Sequence, residues 1–413
     1  MVILKQIKLN KNPLLFAGVL FLIFLINISI EYSKYKEMVY EEVYESQFEI
    51  INVYKKENVN VLKLKNRDFQ FFTSVPKDIN LNKLDLIQIA FLTKRIDFIS
   101  YLKGFYAKNI YFDKLKKNSS FKDEIVEKIS SNHQNQEINE VFNALFLAIP
   151  VSKELRDTFA NYGITHLIAL SGFHLSVLSF LIYWIIYFPY DFFHKRYYPF
   201  RNKKFDLLLI TLALLFFYLL LTGIVASLLR AFVMLCIGIF LLRSNIKLIS
   251  FINLLFTFLI IIALLPKYIF SISLWFSLSG VFYIFLYIKY FNELKSMLVK
   301  LLLFNFWIYF AMNPIVHYFF TNTTYEQLYS PFLTIAFTFF YPIEMFAHLF
   351  NFAGVFDEFL EIFLSKEFNV FEVSTSLFVF LLYIFLSFAS IKSKKAFILL
   401  NVLLIGFTVY LYI

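Results

Sequence analysis

The chain has 413 residues, 60% of them hydrophobic, and its 39 Lys and Arg against 29 Asp and Glu leave a formal charge of +10. A mean hydropathy of +0.67 with 57 Phe lies far from soluble domains, which stay at roughly 45–50% apolar. Composition therefore excludes an ordinary soluble globular protein, and the single cysteine, Cys236, excludes a disulfide framework.

At the N-terminus, basic residues precede an uncharged stretch from Pro13 to Ile30. Glu31, Tyr32 and Lys34 come next, where a cleaved signal peptide would show small residues. Residues 1–30 read as an uncleaved membrane anchor that starts in the cytoplasm, as basic flanks require. The chain just beyond Ile30 then faces outward.

Residues 31–115 carry strand signals. The runs QFEIINVY, VNVLKLK, FQFFTSV, DLIQIAFL and FYAKNIYF are separated by Asn, Asp, Pro or Lys clusters, and residues 60–65 alternate with a period of two. Five short strands fit a small β-barrel of the OB type, inserted outside the membrane. Between Ser46 and Ile110 eleven basic residues face six acidic ones, with aromatics interleaved. Basic grooves with stacking aromatics suit single-stranded nucleic acid; the plainer reading is a solvated structural barrel. Lys55, Lys56, Lys63, Lys65, Arg67, Lys94 and Arg95 are the candidate DNA contacts.

Residues 116–163 are polar and amphipathic, without a long apolar run, and read as helices on the membrane surface. His133 has no ligand-spaced neighbours and is expected to be solvent-exposed.

From residue 164 to the end, apolar runs long enough to cross a bilayer recur. Spans are expected at about 164–188, 206–224, 227–242, 248–265, 269–288, 297–320, 371–390 and 396–413. The fold class is thus an α-helical polytopic membrane protein of about nine to ten membrane segments. The linkers HKRYYPFRNKK, RSNIK and KYFNELK alternate sides as cytoplasmic loops should. Counting full spans puts the basic 391–395 and the acidic 355–363 on the wrong sides. A segment from Ser330 to Phe350, broken by Pro331 and Pro342, that re-enters instead of crossing would resolve both.

Polar residues interrupt these spans at four places. In HLIALSGFHLSVL, His166 and His174 are eight apart, about 12 Å along a helix, too far for a shared metal. Ser171 and His174 are three apart and can touch, which leaves an intramembrane serine hydrolase open beside simple helix packing through Ala169, Gly172 and Ser176. In LLTGIVASLLRAFVML, Ser227 and Arg230 stand near an outer span end, and Arg230 reads as an inward-facing cation or as a snorkelling one. SISLWFSLSGVFYIF offers Ser277 and Ser279. In FAMNPIVHYFF, Asn313 and Pro314 interrupt a span.

The order of these elements resembles the ComEC family of competence proteins. Its H-L-x-A-x-S-G-x-H segment is matched by His166, Leu167, Ala169, Ser171, Gly172 and His174, and its S-x-x-R-A by Ser227, Arg230 and Ala231. Leu274 to Gly280 is similar to a G-F-Q-L-S-F element, with Trp275 where Gln is usual, and Pro314 to Phe320 to its last motif. The resemblance implies an inner-membrane channel that conducts single-stranded DNA into the cytoplasm during natural transformation, with the OB-like domain in the periplasm. It places His166, Ser171, Gly172, His174, Ser227, Arg230, Ser277, Ser279 and Asn313 along the DNA path. Many relatives add a metallo-hydrolase-like domain with H-x-H-x-D-H. The six histidines here form no such cluster, so strand degradation is expected to fall to another protein.

No bond chemistry, metal or cofactor is expected. An inside-negative potential opposes inward anions by about 2.3 kcal/mol per charge per 100 mV, and no G-x-x-x-x-G-K-[ST] occurs. The expected partners are therefore single-stranded DNA, membrane lipid, a periplasmic DNA receptor and a cytoplasmic ATPase or helicase motor; a homo-oligomer is left open. A small-molecule transporter is the other rival reading.

Overall fold

The structure, a computed structural model, describes residues 13–77, 79, 81–116, 120–241, 250–293 and 295–413. The basic start of the chain and the basic loop 243–247 lie outside these residues.

Helix α1 (Pro13–Met38) leads into a six-stranded sheet: β1 (Val43–Lys55), β2 (Val59–Lys65), β3 (Gln70–Pro76), β4 (Leu86–Leu92), β5 (Phe105–Tyr106) and β6 (Asn109–Leu115). β1 to β4 fall on the first four runs, because alternate apolar residues must share one face, while the fifth run, expected as one strand, is split into β5 and β6. Phe48, Ile50, Leu62, Leu64, Phe71, Ile87, Ile89 and Phe91 form that buried face. The order is β5-β3-β2-β1-β4-β6. β3 pairs with β5 in parallel and the other pairs are antiparallel. A bulge between Ile50 and Asn52 bends the long β1, so its first half serves β4 and its second half β2. The two edge strands, β5 and β6, are joined only by Ala107 and Lys108. A short helix, α2 (Phe98–Lys103), which the sequence did not signal, sets Tyr101 into the core.

Three helices come next: α3 (Phe121–Ser130), α4 (Gln136–Leu147) and α5 (Lys153–Asn161). Each begins where its sequence offers a cap, at Ser120, Asn135 and Ser152, whose side chains accept backbone N–H groups of the first turn. Their apolar faces share a core with α6 (Thr165–Ile168), α13 (Ser330–Leu349) and α14 (Asp357–Leu364).

The bundle comprises α7 (Gly172–Tyr197), α8 (Lys203–Leu221), α9 (Ala226–Leu241), α10 (Phe251–Leu264), α11 (Ile272–Phe291), α12 (Met297–Phe319), α15 (Leu377–Ala389) and α16 (Lys394–Tyr412). Among the described residues seven helices are long and apolar enough to cross a membrane, α1 and α13 included, and three apolar helices are shorter. At 1.5 Å per residue the 14 residues of α10 cover about 21 Å, short of the ~30 Å of a hydrocarbon core.

The prolines behave differently from expectation. α12 runs unbroken through Pro314, and the Tyr383 hydroxyl (2.6 Å) and Thr375 hydroxyl (2.9 Å) donate to the carbonyls of Ala311 and Pro314. α13 is also one helix: Pro331 lies in its first turn, where no N–H is needed, and Pro342 is accommodated inside. It is not a broken helix. The path is settled by the pairing of β7 (Asn322–Thr323) with β8 (Phe371–Glu372). The excursion from 324 to 370 thereby returns to the place it left, at the end of α12. α15 then descends beside α12, and Lys289 Nζ donates to the Ile391 carbonyl at 2.5 Å. The basic 391–395 thus lies at the end of the bundle where α11 carries Lys289, contrary to the count of full spans.

Candidate functional site: a buried cation where a span breaks

The expected span from 164 is interrupted. α6 ends at Ile168, three non-helical residues follow with Ala169 and Ser171 extended, and α7 starts at Gly172. Ser171 causes the break by capping α7: its Oγ accepts from the Phe173 N–H (3.3 Å), and its own N–H donates to His174 Nδ1 (3.1 Å). This is a capping box with histidine in the place usually taken by Glu or Gln. The Ser171 hydroxyl also lies 3.0 Å from His174 Nδ1. Because Nδ1 accepts a backbone N–H, the ring proton sits on Nε2, which is buried without a hydrogen-bond partner. The His174 and Tyr341 rings pack in a T-shaped arrangement, centroids 4.5 Å apart.

Arg230 projects from the second turn of α9 and is 6% exposed. Its Nε donates to Ser277 Oγ (2.6 Å) on α11 and its Nη1 to Met234 Sδ (3.3 Å). Nη2 lies over the first residue of α7, where a Cβ on Gly172 would come within 3.2 Å of it. Glycine at 172 is what admits the guanidinium. Ser227 Oγ, one turn before Arg230, donates to the Leu170 carbonyl and ties α9 to the break. Among the described residues no carboxylate pairs with Arg230. A buried Arg⁺ and the positive end of a 26-residue helix therefore share one place without an anion between them.

Above this place lies the sheet. Lys65 Nζ is 3.4 Å from the Gly223 carbonyl in the α8–α9 turn. That turn holds Gly223 and Ile224 at φ +76° and +58°, a conformation that costs a β-branched residue strain. It aims both carbonyls at the outer layer, where Tyr268 donates to Ile224. Lys267 adds an ion pair to Glu31 (2.7 Å) and a bond to the Asp68 carbonyl. By register, Lys63 shares its face with Lys65, Asn52, Tyr54, Phe72 and Tyr106. Lys63 Nζ stands 5.8 Å from the Phe72 ring centroid, and Tyr54 packs on the same ring at 6.4 Å. Burial in this crevice pulls the Lys63 ammonium below the usual lysine range, helped by repulsion from Lys65. Burial does the same to Lys65, opposed by Glu49.

Not every expected residue comes together. Lys55 and Lys56 end the β1–β2 hairpin, Arg67 sits in the β2–β3 turn, and Lys94 and Arg95 come after β4. These five are exposed, and Lys94 faces Glu42 at 3.8 Å. His166 is exposed on α6, 3.4 Å from the Thr334 hydroxyl. Ser279, two residues past Ser277 on a helix, points away from the Arg230 bond. Asn313 is buried in α12 with its Nδ2 unpartnered, apart from the Arg230 group. Sequence reasoning passes over the aromatics Tyr54, Phe72 and Tyr106, although period-two alternation with Lys63 signals their face.

His133 is a correction. It is buried, 5% exposed, because the α3–α4 turn folds under the α13–α14 connection. Its Nδ1 meets Asp357 Oδ1 at 2.8 Å and its Nε2 meets His348 Nε2 at 3.0 Å. Among the described residues no group of three or more His, Cys, Asp or Glu could hold a metal ion.

A family model described as Competence protein matches residues 150–413. The matched stretch begins just before α5 and contains the whole Arg230 site. No curated protein and no solved structure matches.

Proposed function

The chain belongs to the Competence protein family, whose role is in DNA uptake during transformation, and on that premise we propose that it conducts single-stranded DNA across the bacterial inner membrane. The observation that carries this reading is Arg230, a buried guanidinium without a carboxylate, set against a helix N-terminus. A phosphodiester is the anion that such a place suits. Burying an isolated phosphate in lipid costs on the order of tens of kcal/mol, so a polar route is required, and Ser277, Ser227 and the α6–α7 break supply polar groups for it.

The sheet supports an entrance above the site. Its edge strands stand two residues apart along the chain, as in a small closed barrel of the OB type, and its β2–β3 face joins lysines to aromatic rings. Bases stacking on Tyr54, Phe72 or Tyr106 would each contribute about 1–3 kcal/mol. In this reading the sheet lies in the periplasm and receives strands from a DNA receptor. A cytoplasmic ATPase or helicase pulls, since the membrane potential opposes entry.

The rivals find less support. A small-molecule transporter leaves the basic aromatic face without a use. For a serine hydrolase, His174 would need an orienting acid; its Nδ1 is instead held by the Ser171 N–H, and no acid is bonded to the ring among the described residues.

The test scores DNA arrival outside and inside the membrane separately. Arg230→Gln, at normal protein level, should leave DNA outside and reduce cytoplasmic arrival at least about 100-fold, the scale of losing a buried charged contact, while Arg230→Lys retains part. Normal cytoplasmic arrival with Gln at 230 overturns the proposal.

A further inference from the structure

The four titratable groups at the far end of α13 form a chain of contacts: Glu344, His348, His133 and Asp357. His348 Nδ1 lies 2.8 Å from the Glu344 backbone carbonyl. A carbonyl only accepts, so this nitrogen carries a proton. The His348 Nε2 then faces His133 Nε2 at 3.0 Å, and one of the two must donate.

Each assignment leads to the same count. If His133 Nε2 donates, its Nδ1 faces Asp357 Oδ1 at 2.8 Å, and that contact needs a second proton on the ring or on the carboxyl. If His348 Nε2 donates, His348 is an imidazolium, and neutral His133 gives its Nδ1 proton to the Asp357 carboxylate. In every case these groups hold one proton more than two neutral imidazoles and a carboxylate. Removing it leaves a ring-nitrogen lone pair facing either the other ring's lone pair or the Asp357 carboxylate in a buried space.

The surroundings suit that proton. Glu344, 1% exposed, has both carboxyl oxygens without a hydrogen bond, and Oε2 stands 3.5 Å from His348 Nδ1. The His133 ring stacks on Phe142 at 4.6 Å, and Phe142 and Phe146 also cover His348 at 4.5 and 4.9 Å. The other charges nearby are engaged or exposed. Glu361 of α14 accepts from Asn135 (3.0 Å), Glu140 of α4 pairs with Lys83 (3.1 Å), and Glu127 and Lys128 of α3, Glu137 of α4 and Glu358 of α14 are exposed. Metal-bound histidines have similar outer partners, but with no third ligand placed here the proton fits better.

We propose that His133 and His348 bind one shared proton between the Asp357 and Glu344 carboxyls, and that this proton clasps the α13–α14 connection to the α3–α4 turn. The contact is close: a Cβ on Gly354 would come within 3.3 Å of the Asn132 carbonyl. α13 is also the helix that packs Phe337 and Tyr341 on the His174 ring, at 5.6 and 4.5 Å. Loss of the proton frees the far end of the helix that bears on the α6–α7 break. This inference does not depend on the transport reading.

The experiment uses the full chain in lipid nanodiscs with ¹⁵N-histidine, its rings assigned from His133→Gln and His348→Gln. The two rings should titrate together as one coupled unit, and replacing either should abolish the shared transition in the other. Hydrogen exchange of residues 350–356 should rise at least tenfold across the same pH and be fast at all pH in His348→Gln. Asp357→Asn, which keeps the shape, should move the transition down by about one pH unit, a tenfold loss of proton affinity. Independent titration of the rings, an unmoved transition in Asp357→Asn, or Zn²⁺ held by the pair in place of the proton would each overturn the proposal.

Discussion

Two buried polar knots bear on α13 and its neighbours, and they differ in whether the buried charge has a group of opposite sign beside it. At the α6–α7 break Arg230 donates to Ser277 and Met234, and no carboxylate pairs with it among the described residues. At the other end of α13, Asp357, His133 and His348 engage one another in series. An unpaired charge is costly in a membrane and marks a place for a ligand. A closed chain of complementary groups holds pieces of structure together instead. Burial alone therefore does not distinguish a site from a clasp; whether the buried charge has a counter-group does.

The comparison can be tested by filling the open knot. Gly172→Val crowds Arg230 Nη2, which a Cβ there would already approach within 3.2 Å, and it should reduce cytoplasmic DNA arrival at least about tenfold, as displacing a positioned group by an ångström does. His133→Gln, made in the closed knot and measured in the same assay, should spare transport by comparison. Equal losses from both would erase the distinction.

A smaller effect is expected at the entrance. Replacing Lys63 and Lys65 together by Gln should weaken single-strand binding and lower the slope of log K against log salt by about 1.4, at ~0.7 per phosphate contact. The pH dependence has a definite sign. Both ammonium groups are held below the usual lysine range, so their contribution is full at low pH and is lost as pH rises through those lowered values. Wild-type binding should weaken below the pH at which exposed lysines discharge, and the double variant should lack that step. An unchanged salt slope would remove the β2–β3 face from the path.

The smallest effect belongs to the cap. Ser171→Ala removes the side-chain acceptor for the Phe173 N–H and should cost about 1 kcal/mol of stability, seen as a lower melting temperature, with most transport retained. Complete loss of function at normal stability would favour hydroxyl chemistry over capping.

How legible each feature is in the sequence depends on the separation of its partners. Strand alternation and turn residues act over a few positions, so β1 to β4 fall where the runs lie. His174 meets a partner three residues away, and that contact is legible. His133 meets partners 215 and 224 residues away; no local pattern reports them, and its polar neighbours in sequence suggest exposure instead. The prolines mislead for a related reason. Pro331 and Pro342 look like breaks, but a first-turn position spares one and the packing of α13 tolerates the other.

Hydropathy and basic flanks determined that this chain crosses a membrane repeatedly and carries a strand-rich basic insert. Those properties depend on transfer energies and on patterns that repeat within a few residues. Only the tertiary structure decided that Lys63 and Lys65 face the α8–α9 turn, that the 324–370 excursion returns to its start, and that Arg230 lies against Gly172 without a carboxylate. Each of these depends on which distant surfaces meet, and that is set by packing across the whole bundle.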